Sequence, residues 1–355
     1  MAGVVFGPEK LTAMVENHTI AVVVPAYNEE LLIGKTVSTM PAFVDAIIVV
    51  NDGSKDRTRA VLLEYQAKDP RLTIIDHPRN KGLGQSLIDG YVHAREQGYD
   101  ITAVMAGDAQ MSPDDLGAVL APIVAGNADY AKGNRLLVAD VAEHMPAYRL
   151  VGNAVLTILT KFATGYWQVI DPQCGYTAIS KRALAAIPIE RMIKGYGYNA
   201  DILNMLNIRD FFVADVEVKP VYGMEQSKIK LRTYIPTVSW LLVRLFFRRL
   251  VQKYMVRNFN PLCLSYLCGA MLLLFGSLPL GIRLIYLYAT SREFPQTTML
   301  CLIFVTIAGL QILLAAIQND MDDNRWMKIR AQACGPTMEK EQVDSRETGQ
   351  ISGKI

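Results

Sequence analysis

Residues 19–25 read Thr-Ile-Ala-Val-Val-Val-Pro, an almost unbroken run of apolar and mostly β-branched side chains. A run of this kind is typical of a strand covered on both faces, because a strand with one wet face would alternate polar and apolar residues. Ala46–Asn51 and Ile101–Ala106 repeat the pattern, and Leu72–Asp76 is a shorter candidate.

Segments long enough for helices lie between and after these strands. They are Glu29–Met40, Asp56–Ala67, Leu83–Gly98 and Pro113–Ala125. The alternation predicts βαβ units and a mostly parallel sheet, and therefore an α/β fold. Ligands bind beyond the carboxyl ends of strands in such sheets, so polar residues at those ends are candidate functional residues.

The overall composition narrows the class of protein. The chain has 355 residues and a formal net charge of +2, which gives no reason to expect a nucleic-acid partner. Its five cysteines fit no metal or redox spacing, and we interpret them as free thiols in a reducing compartment. No basic segment followed by an apolar run opens the chain, so we expect the N-terminal part to stay in the cytoplasm.

The apolar residues collect after about residue 233. Thr233–Arg257 is apolar but carries Arg244, Arg248, Lys253 and Arg257, at spacings of four, five and four residues. These spacings put the four cations on one helical face and predict a helix at the membrane–water boundary. The alternative is a soluble helix with a solvated basic face.

Two uncharged stretches follow, Leu262–Ile282 with 21 residues and Phe294–Asn319 with 26. About 20 residues cross the hydrocarbon core, so both are predicted transmembrane helices. Basic residues precede the first stretch and follow the second, which predicts that both termini are cytoplasmic. The alternative is a buried helical hairpin in a soluble core.

Three strand ends each present a polar turn: Pro25–Glu29, Asn51–Ser54 and Gly107–Gln110. One such turn is ordinary, but their recurrence at successive strand ends indicates a common site. With Asn80–Gly84, the three turns resemble the nucleotide-sugar domain of family-2 glycosyltransferases. The resemblance spans roughly residues 19–260 and is greatest to the polyprenyl- and dolichyl-phosphate glycosyltransferases, such as those that make dolichyl-phosphate mannose.

The resemblance implies a GT-A fold, a Rossmann-like nucleotide-sugar domain, and it implies roles for particular residues. Asp108 and Gln110 would bind Mg²⁺ or Mn²⁺ against the donor diphosphate, as hard cations with oxygen ligands do. The residues implied to bind the nucleotide-sugar are Pro25, Tyr27, Glu29, Asp52, Lys81, Gly82, Asp108 and Asp201.

The resemblance also implies an acceptor site. Arg135, Arg149 and Lys228 would grip a lipid phosphate, for which a planar guanidinium is well suited. Asp171 would be a functional acid under the sugar, which with Asp108, Arg135 and Arg149 completes the implied catalytic set. On the residues alone, both arginines read as surface side chains, and a surface role for Lys228 remains open.

The sequence departs from the family pattern at three places. Ala106 stands where the metal motif usually has a first acid, and Asn51 stands where a second Asp is common. Residues 222–226 contain no Arg or Lys, although relatives often have a basic residue there. We therefore expect Asp108 to carry more of the metal binding, and the base preference to differ.

The expected reaction is inverting transfer of mannose or glucose from GDP-mannose or UDP-glucose to polyprenyl or dolichyl phosphate at the cytoplasmic membrane face. The acceptor phosphate is already anionic near neutral pH, so no general base is needed. The alternatives are a processive polysaccharide synthase and an inactive, membrane-tethered nucleotide-sugar binding protein. The membrane helices also offer a surface for homo-oligomers.

The expected domain order follows from these segments. It is an N-terminal extension (1–18), the glycosyltransferase domain (19–230), an interfacial helix region (231–258), two transmembrane helices (259–320) and a disordered cytoplasmic tail (321–355).

Overall fold

A computed structural model describes residues 15, 17–136, 147–195, 197–219, 231–257, 259–291 and 295–333. At 147–151, 153, 231–236 and 330–333 it describes the backbone alone. Most of the predicted N-terminal extension and the tail from residue 334 therefore lie outside the described residues.

Seven strands and eleven α-helices are formed by the described residues. The strands are β1 (Ile20–Ala26), β2 (Ala46–Asn51), β3 (Leu72–Asp76), β4 (Ile101–Val104), β5 (Tyr130–Asn134), β6 (Thr177–Ser180) and β7 (Val213–Glu217). The helices are α1 (Ile33–Ser38), α2 (Thr58–Gln66), α3 (Leu83–Gln97), α4 (Leu116–Val124), α5 (Ala147–Thr164), α6 (Lys181–Ala186), α7 (Tyr198–Ile208), α8 (Leu231–Val251), α9 (Pro261–Met271), α10 (Leu278–Ser291) and α11 (Gln296–Ala333).

The strands form one sheet in the order β3-β2-β1-β4-β6-β5-β7. Every neighbouring pair is parallel except the two that involve β6, which runs antiparallel to β4 and β5. The predicted α/β class with a mostly parallel sheet is confirmed. The four strands and four helices predicted between residues 19 and 125 are present, with ends shifted by a few residues.

Helices cover both faces of this sheet, which explains why β1 is apolar throughout. Alternate residues of a strand point to opposite faces. Ala21 and Val23 belong to the core cluster that includes Leu87 and Tyr91 of α3. Val22 and Val24 belong to the opposite cluster, which includes side chains of α1, α2 and α4.

Helix α3 approaches the sheet closely at Gly90. A Cβ atom at this position would lie 2.3 Å from Cγ1 of Val23. A larger residue would therefore push α3 away from β1, so this close packing requires a glycine.

The chain divides into two compact units, which we describe separately. One contains the residues up to Phe246 together with those from Met327, and the other runs from Phe247 to Trp326. Helix α8 contributes residues to both units. In the first unit Val238, Leu242 and Leu245 of α8 are buried beside residues of α5 and α7.

The second unit contains two long apolar helical segments. Pro261–Thr290 has 30 residues and a mean hydropathy of 1.8, and Gln296–Ile329 has 34 residues and a mean hydropathy of 2.6. Both are long and apolar enough to cross a membrane, and most of their large apolar side chains are exposed. Helix α11 continues to Ala333, so the predicted disordered tail does not begin at residue 321.

The cationic face predicted for Thr233–Arg257 is wrong at Lys253, which follows the end of α8. This side chain is buried and forms an ion pair with Asp323, with 2.7 Å between Nζ and Oδ2. The helix has π geometry at Gln252–Arg257, and the wider turn changes which side chains share a face. Arg249, absent from the predicted face, is fully buried and forms a two-bond ion pair with Asp320.

Candidate active site

The candidate residues lie at one edge of the sheet. β1, β2, β4 and β5 run in the same direction, because β6 is antiparallel to both β4 and β5. Their carboxyl ends therefore meet at one edge, and the chain that leads into β6 reaches that same edge. Sites in α/β proteins form at such an edge, where neighbouring connections leave in opposite directions.

A cavity of about 510 Å³ lies at the ends of β1, β2 and β3. Its lining includes Tyr27, Asn51, Gly53, Asp76, His77 and Asn80. The Tyr27 side chain is 42% exposed, so its ring is available to a planar ligand. Of the residues predicted to hold the nucleotide, Tyr27 is the one that lines this cavity.

The turns after β1 and β2 hold each other in place. The Asn28 N–H donates to Oγ of Ser54 at 3.0 Å, and Oδ1 of Asn28 accepts from the Lys55 N–H at 2.9 Å. Asn28 has φ of 57°, a left-handed conformation that asparagine tolerates better than most residues. These bonds fix the position of Tyr27 next to the cavity.

Pro25 and Glu29, both predicted nucleotide ligands, are half-buried, and their backbones support the same turn. The Pro25 carbonyl accepts from the Gly107 N–H at 3.2 Å, which joins the ends of β1 and β4. The Glu29 N–H donates to Oγ1 of Thr58 at 2.8 Å. Side-chain contact of either residue with a nucleotide stays a prediction.

Asn51 has a structural reason to differ from the family's usual acid. Its Nδ2 donates to Oδ1 of Asp76 at 2.7 Å, and Nε of Arg59 donates to the other oxygen of Asp76 at 2.9 Å. A carboxylate at position 51 would face Asp76 with like charge and without a proton to donate. The amide therefore keeps Asp76 ionised at the cavity wall, and the pKa of Asp76 lies below its usual range despite its partial burial.

Gly53 permits the loop after β3 to lie against the loop after β2. Its φ is +68°, and a Cβ atom there would lie 2.5 Å from the backbone carbonyl carbon of Arg79. Both the backbone conformation and the space exclude a side chain.

Asp52, a predicted nucleotide ligand, supports the loop after β3. Its side chain is buried, and its oxygens accept from the backbone N–H groups of Lys81 at 2.8 Å and Gly82 at 2.9 Å. Oδ1 also lies 2.7 Å from Nδ1 of His77. All these contacts belong to the loop, so Asp52 holds the loop that lines the cavity, and its contact with a nucleotide stays a prediction.

His77, which the sequence analysis did not select, connects this loop to helix α3. Its second ring nitrogen, Nε2, lies 2.8 Å from Oδ2 of Asp89. Asp89 also accepts from Nε2 of Gln85, and Nζ of Lys81 lies 3.8 Å from it. No short-range spacing marks His77 in the sequence, because Asp52 and Asp89 lie 25 and 12 residues away.

Asp108 is the carboxylate nearest in sequence to the end of β4. It is half-buried, and its Oδ1 accepts from the Gln110 N–H at 3.1 Å in a turn where Ala109 has φ of 55°. Burial raises the pKa of the Asp108 carboxyl above its usual range. No basic side chain forms a salt bridge with Asp108 within the described part of the chain, so this desolvated carboxylate suits a bound cation.

No cluster of three or more His, Cys, Asp or Glu side chains that could hold a metal exists among the described residues. The departure at Ala106 removes the second carboxylate from this turn. A divalent ion here would therefore take a carboxylate oxygen from Asp108, and its remaining ligands from Gln110, the donor diphosphate and water. This donor set fits Mg²⁺ or Mn²⁺, both of which are commonly held by one or two carboxylates and substrate phosphates.

Arg135 and Asp171, predicted separately, form one ion pair. Nε of Arg135 donates to Oδ2 of Asp171 at 2.8 Å, and Nη2 donates to Oδ1 at 3.2 Å. Asp171 is buried, whereas the Arg135 side chain is 44% exposed. The hydrogen bonds from Arg135 hold the pKa of the Asp171 carboxyl below its usual range despite burial. Asp171 thus fixes one edge of the Arg135 guanidinium, and the Arg135 side chain remains partly exposed.

The other two predicted acceptor ligands cannot be compared in this way. Arg149 lies in helix α5, but its side chain is outside the described residues, and so is Lys228. Their contact with an acceptor phosphate stays a prediction.

Asp201 was predicted to lie near the donor sugar, and this stays a prediction. Its side chain is fully buried, and Oδ2 accepts from the Ile193 N–H at 2.8 Å. The neighbouring Lys194 carbonyl accepts from the Gly84 N–H at 3.0 Å. Asp201 therefore holds the segment that packs on the start of α3.

Lys132, Asn134 and Asp215 form polar contacts behind the Arg135–Asp171 pair. Nζ of Lys132 is fully buried and donates to the Cys174 carbonyl and to Oδ1 of Asn199. Nδ2 of Asn134 donates to Oδ2 of Asp215. Lys132 and Asn134 are two residues apart on β5 and therefore lie on the same face of that strand. This spacing could have indicated a polar face in the sequence.

Comparison with known proteins agrees with this architecture. Residues 21–187 match the family described as glycosyl transferase family 2. The chain is 32% identical over 216 residues to the UDP-N-acetylglucosamine–dolichyl-phosphate N-acetylglucosaminyltransferase of Methanococcus voltae, covering 57% of this chain and 86% of that protein. It is 29% identical to the polyprenol monophosphomannose synthase of Mycolicibacterium smegmatis, covering 56% of this chain and 75% of that protein.

Solved structures show the same fold. Glucosyl-3-phosphoglycerate synthase from Mycobacterium tuberculosis in complex with UDP has a TM-score of 0.53 at 20% identity, covering 70% of this chain and 86% of that chain. A complex of the same synthase with Mn²⁺, UDP and glucosyl-3-phosphoglycerate has the same TM-score at 19% identity. The polar turns at one sheet edge, the GT-A fold and the match to the Methanococcus relative over most of its length lead to one conclusion: this chain is a glycosyltransferase that belongs to glycosyl transferase family 2.

Proposed function

We propose that the protein transfers one sugar, with inversion, from a nucleotide-sugar to polyprenyl or dolichyl phosphate at the cytoplasmic membrane face. Mannose from GDP-mannose and glucose from UDP-glucose are the donors expected from the sequence. N-acetylglucosamine from UDP-N-acetylglucosamine joins them, because the Methanococcus relative is named for that donor. The relatives named for dolichyl phosphate and polyprenol support the lipid acceptor.

One observation carries this proposal: the cavity, Asp108 and the Arg135–Asp171 pair share one edge of one sheet. A donor bound at the ends of β1 and β2 would extend its diphosphate toward the end of β4. An acceptor phosphate at Arg135 would approach from the end of β5. The strand order thus supports a site with a donor side and an acceptor side.

Arg135 would bind and orient the acceptor phosphate. The second pKa of a phosphate monoester is about 6, so its oxygen is a nucleophile near neutral pH without help from a base. The guanidinium offsets the repulsion between the acceptor phosphate and the donor diphosphate. Asp171 keeps the guanidinium in one orientation, which reduces the entropy lost when the phosphate binds.

Asp108 and Gln110 would hold the divalent ion. When bound, such an ion neutralises charge that develops on the departing nucleoside diphosphate. Asp108 is suited to this task because it is half-buried and lacks a basic partner among the described residues. Tyr27 and the loop that Asp52 fixes would position the nucleotide on the other side.

The two long apolar helices support a membrane location, where a lipid phosphate lies at headgroup height. Basic residues before the first helix and after the second favour cytoplasmic termini. The catalytic residues precede both helices in sequence, so they would face the cytoplasm with the N-terminal part.

The test is a donor screen with the full chain in lipid nanodiscs that contain a polyprenyl phosphate. Each of the three labelled donors is supplied with Mg²⁺ or Mn²⁺, and the lipid fraction is analysed by mass spectrometry. We expect one sugar per lipid, with a β-linked product from an α-linked donor. Binding of nucleotide without any lipid-linked sugar would refute the proposed reaction.

Arg135→Ala and Arg182→Ala form a matched pair of variants for the acceptor side. Arg182 also pairs with a buried carboxylate, that of Asp129, but it follows β6 at the opposite edge of the sheet. We expect Arg135→Ala to lower transfer about a hundredfold with nucleotide binding retained, as for loss of a charged transition-state contact. Equal losses in both variants would argue against an acceptor role for Arg135.

The same product analysis distinguishes the proposed single transfer from the activity of a processive polysaccharide synthase. Those enzymes carry a Gln-x-x-Arg-Trp motif, and the Arg-Trp of this chain, Arg325-Trp326, has no Gln three residues before the arginine. A ladder of products with several sugars on one lipid would favour the synthase.

A further inference from the structure

Asp215 on β7 makes an unusual set of contacts for a residue of an edge strand. Its Oδ2 accepts two hydrogen bonds, from Nδ2 of Asn134 and from the Ile170 N–H at 3.2 Å. Its Oδ1 is buried and has no hydrogen-bond partner in the part of the chain that the structure describes. A buried carboxylate oxygen without a partner costs stability, so a functional role is the simplest reason for a carboxylate at this position.

The two hydrogen-bond donors belong to the two segments that carry the Arg135–Asp171 pair. Asn134 directly precedes Arg135, and its Oδ1 accepts from the Leu136 N–H at 3.0 Å. The Asn134 side chain therefore spans the turn that contains Arg135. Ile170 directly precedes Asp171 in the segment that leads into β6. One oxygen of the Asp215 carboxylate therefore accepts a hydrogen bond from each of the two segments.

We propose that Asp215 is a positioning residue for the acceptor phosphate, which sets the Arg135 guanidinium by joining the segments that carry Arg135 and Asp171. This inference rests on the proposed function, because it takes Arg135 as the acceptor ligand. Asp215 acts through its neighbours and is not placed in contact with substrate.

The charges around Asp215 make its ionised form the active one. Lys132 faces it in register on the neighbouring strand, and Asp171, Arg135 and Lys161 of α5 are the other charged groups near it. With Asp215 ionised, the charges of Lys132, Arg135, Asp171 and Asp215 cancel, and Lys161 leaves a net charge of +1 on the five groups. Protonation of Asp215 raises this net charge to +2 and turns one carboxylate oxygen into a donor.

Burial raises the pKa of the Asp215 carboxyl to about 6, against the opposing effect of its two hydrogen bonds. A group with this pKa changes charge in the range where the acceptor phosphate also ionises. The acidic limb of the pH–rate profile would then contain a contribution from Asp215 besides that of the acceptor.

The kinetic test compares Asp215→Ala, Asp215→Asn and wild type as full chains in nanodiscs, with each substrate varied at a saturating concentration of the other. Ala removes both accepted hydrogen bonds, whereas Asn retains one oxygen that can accept both and does not titrate. We expect Ala to raise the acceptor KM about tenfold with the donor KM unchanged, and Asn to raise it by a smaller factor, because Asn keeps both accepted hydrogen bonds but not the charge. Asp129→Asn, at the opposite sheet edge, is the control and should change neither constant.

The pH dependence is the second kinetic measurement. We expect Asp215→Asn to lose part of the acidic limb near pH 6 that wild type and Asp129→Asn retain. An unchanged acceptor KM in Asp215→Ala would overturn the proposal. If the Ala variant does not fold, an acidic limb of Asp215→Asn that matches wild type overturns it instead.

A third measurement does not depend on activity. Trp167 lies three residues before Ile170, and its carbonyl accepts from Nζ of Lys161 at 2.7 Å. With Trp240 and Trp326 replaced by Phe, we expect Trp167 fluorescence to titrate near pH 6 and the transition to vanish in Asp215→Asn. If wild type transfers no sugar to a lipid phosphate but this titration depends on Asp215, the proposed reaction fails while the coupling of the two segments stands. A titration that is unaltered in Asp215→Asn contradicts the coupling.

Discussion

The stability of the protein should rise when Asp215 is replaced by Asn. Burial raises the pKa of this carboxyl from 3.8 to about 6. A difference of about 2 pH units corresponds to about 3 kcal/mol at 1.36 kcal/mol per unit. Since the folded protein binds this proton more tightly than the unfolded chain does, the stabilising contribution is complete below pH 4 and is lost as the pH rises through 6.

At neutral pH the wild-type protein therefore accommodates an ionised group at a cost of up to about 3 kcal/mol. Asn keeps an oxygen for Asn134 and Ile170 and removes the ionisation. In a domain of this size 1 kcal/mol changes the melting temperature by about 2–4 °C. We expect Asp215→Asn to melt roughly 6–12 °C higher at pH 7.5, with a gain that falls to about 1 kcal/mol at pH 4.5.

The assay is thermal unfolding of the full chain in nanodiscs at one scan rate, at pH 7.5 and pH 4.5. Asp129→Asn is the control, because Asp129 is a buried acid that is paired with Arg182 and accepts from the Phe212 N–H, whereas Asp215 is half-buried and has one oxygen without a partner among the described residues. Its replacement should lower the melting temperature. A gain for Asp215→Asn that is the same at both pH values would refute the reasoning, and so would a loss at pH 7.5.

Three further predictions concern other parts of the molecule. Asp108→Ala should abolish transfer and Mn²⁺ binding measured by electron paramagnetic resonance, and retained binding in this variant would place the ion elsewhere. Gly53→Ala should weaken nucleotide binding at least tenfold by calorimetry, because its Cβ would lie 2.5 Å from the Arg79 backbone; unchanged affinity would contradict the packing of the two loops. Asp320→Ala should destabilise the second unit by about 3–5 kcal/mol, because it removes the carboxylate that accepts two hydrogen bonds from the buried Arg249. A melting temperature equal to that of Asp322→Ala, an exposed partner of Arg325, would contradict that estimate.

The apparent cost of Asp215 illustrates a general conflict between stability and function. A sheet edge could be stabilised by an apolar or amide residue at this position. An ionised carboxylate keeps Lys132 and the Arg135–Asp171 pair electrically balanced instead. The proposed role predicts that variants which gain stability here lose the pH dependence of acceptor use.

Much of the fold was predictable because its signals are local. The β-branched runs at Ile20–Ala26 and Ala46–Asn51 mark buried strands, and the uncharged stretches after residue 261 mark long apolar helices. Strands β5, β6 and β7 were not predicted. β5 reads Tyr-Ala-Lys-Gly-Asn, β6 has four residues, and β7 reads Val-Ala-Asp-Val-Glu, so none has a run long enough to stand out.

The candidate site was predicted as a set of residues, but not as a set of roles. Tyr27, Asp108, Arg135 and Asp171 were selected from motifs, and the structure joins Arg135 to Asp171 in one ion pair. Asp52 and Asp201 were selected as ligands, yet both are buried and bind backbone N–H groups of neighbouring loops. A motif gives the residue types at a site but not their contacts. A carboxylate that supports a loop and one that binds a ligand are therefore identical in a motif.

The order of apolar runs and polar turns along the chain was enough to indicate an α/β domain of this glycosyltransferase family, followed by two helices that could span a membrane. These features depend on neighbours within a few residues, where backbone geometry and hydrophobic periodicity act. The tertiary structure decided which carboxylates are exposed, paired or desolvated. His77 meets Asp52 across 25 residues, Arg135 meets Asp171 across 36, and Asn134 meets Asp215 across 81. Burial and charge partners at such separations exist only after the sheet has formed, because it is the sheet that brings the strand ends together.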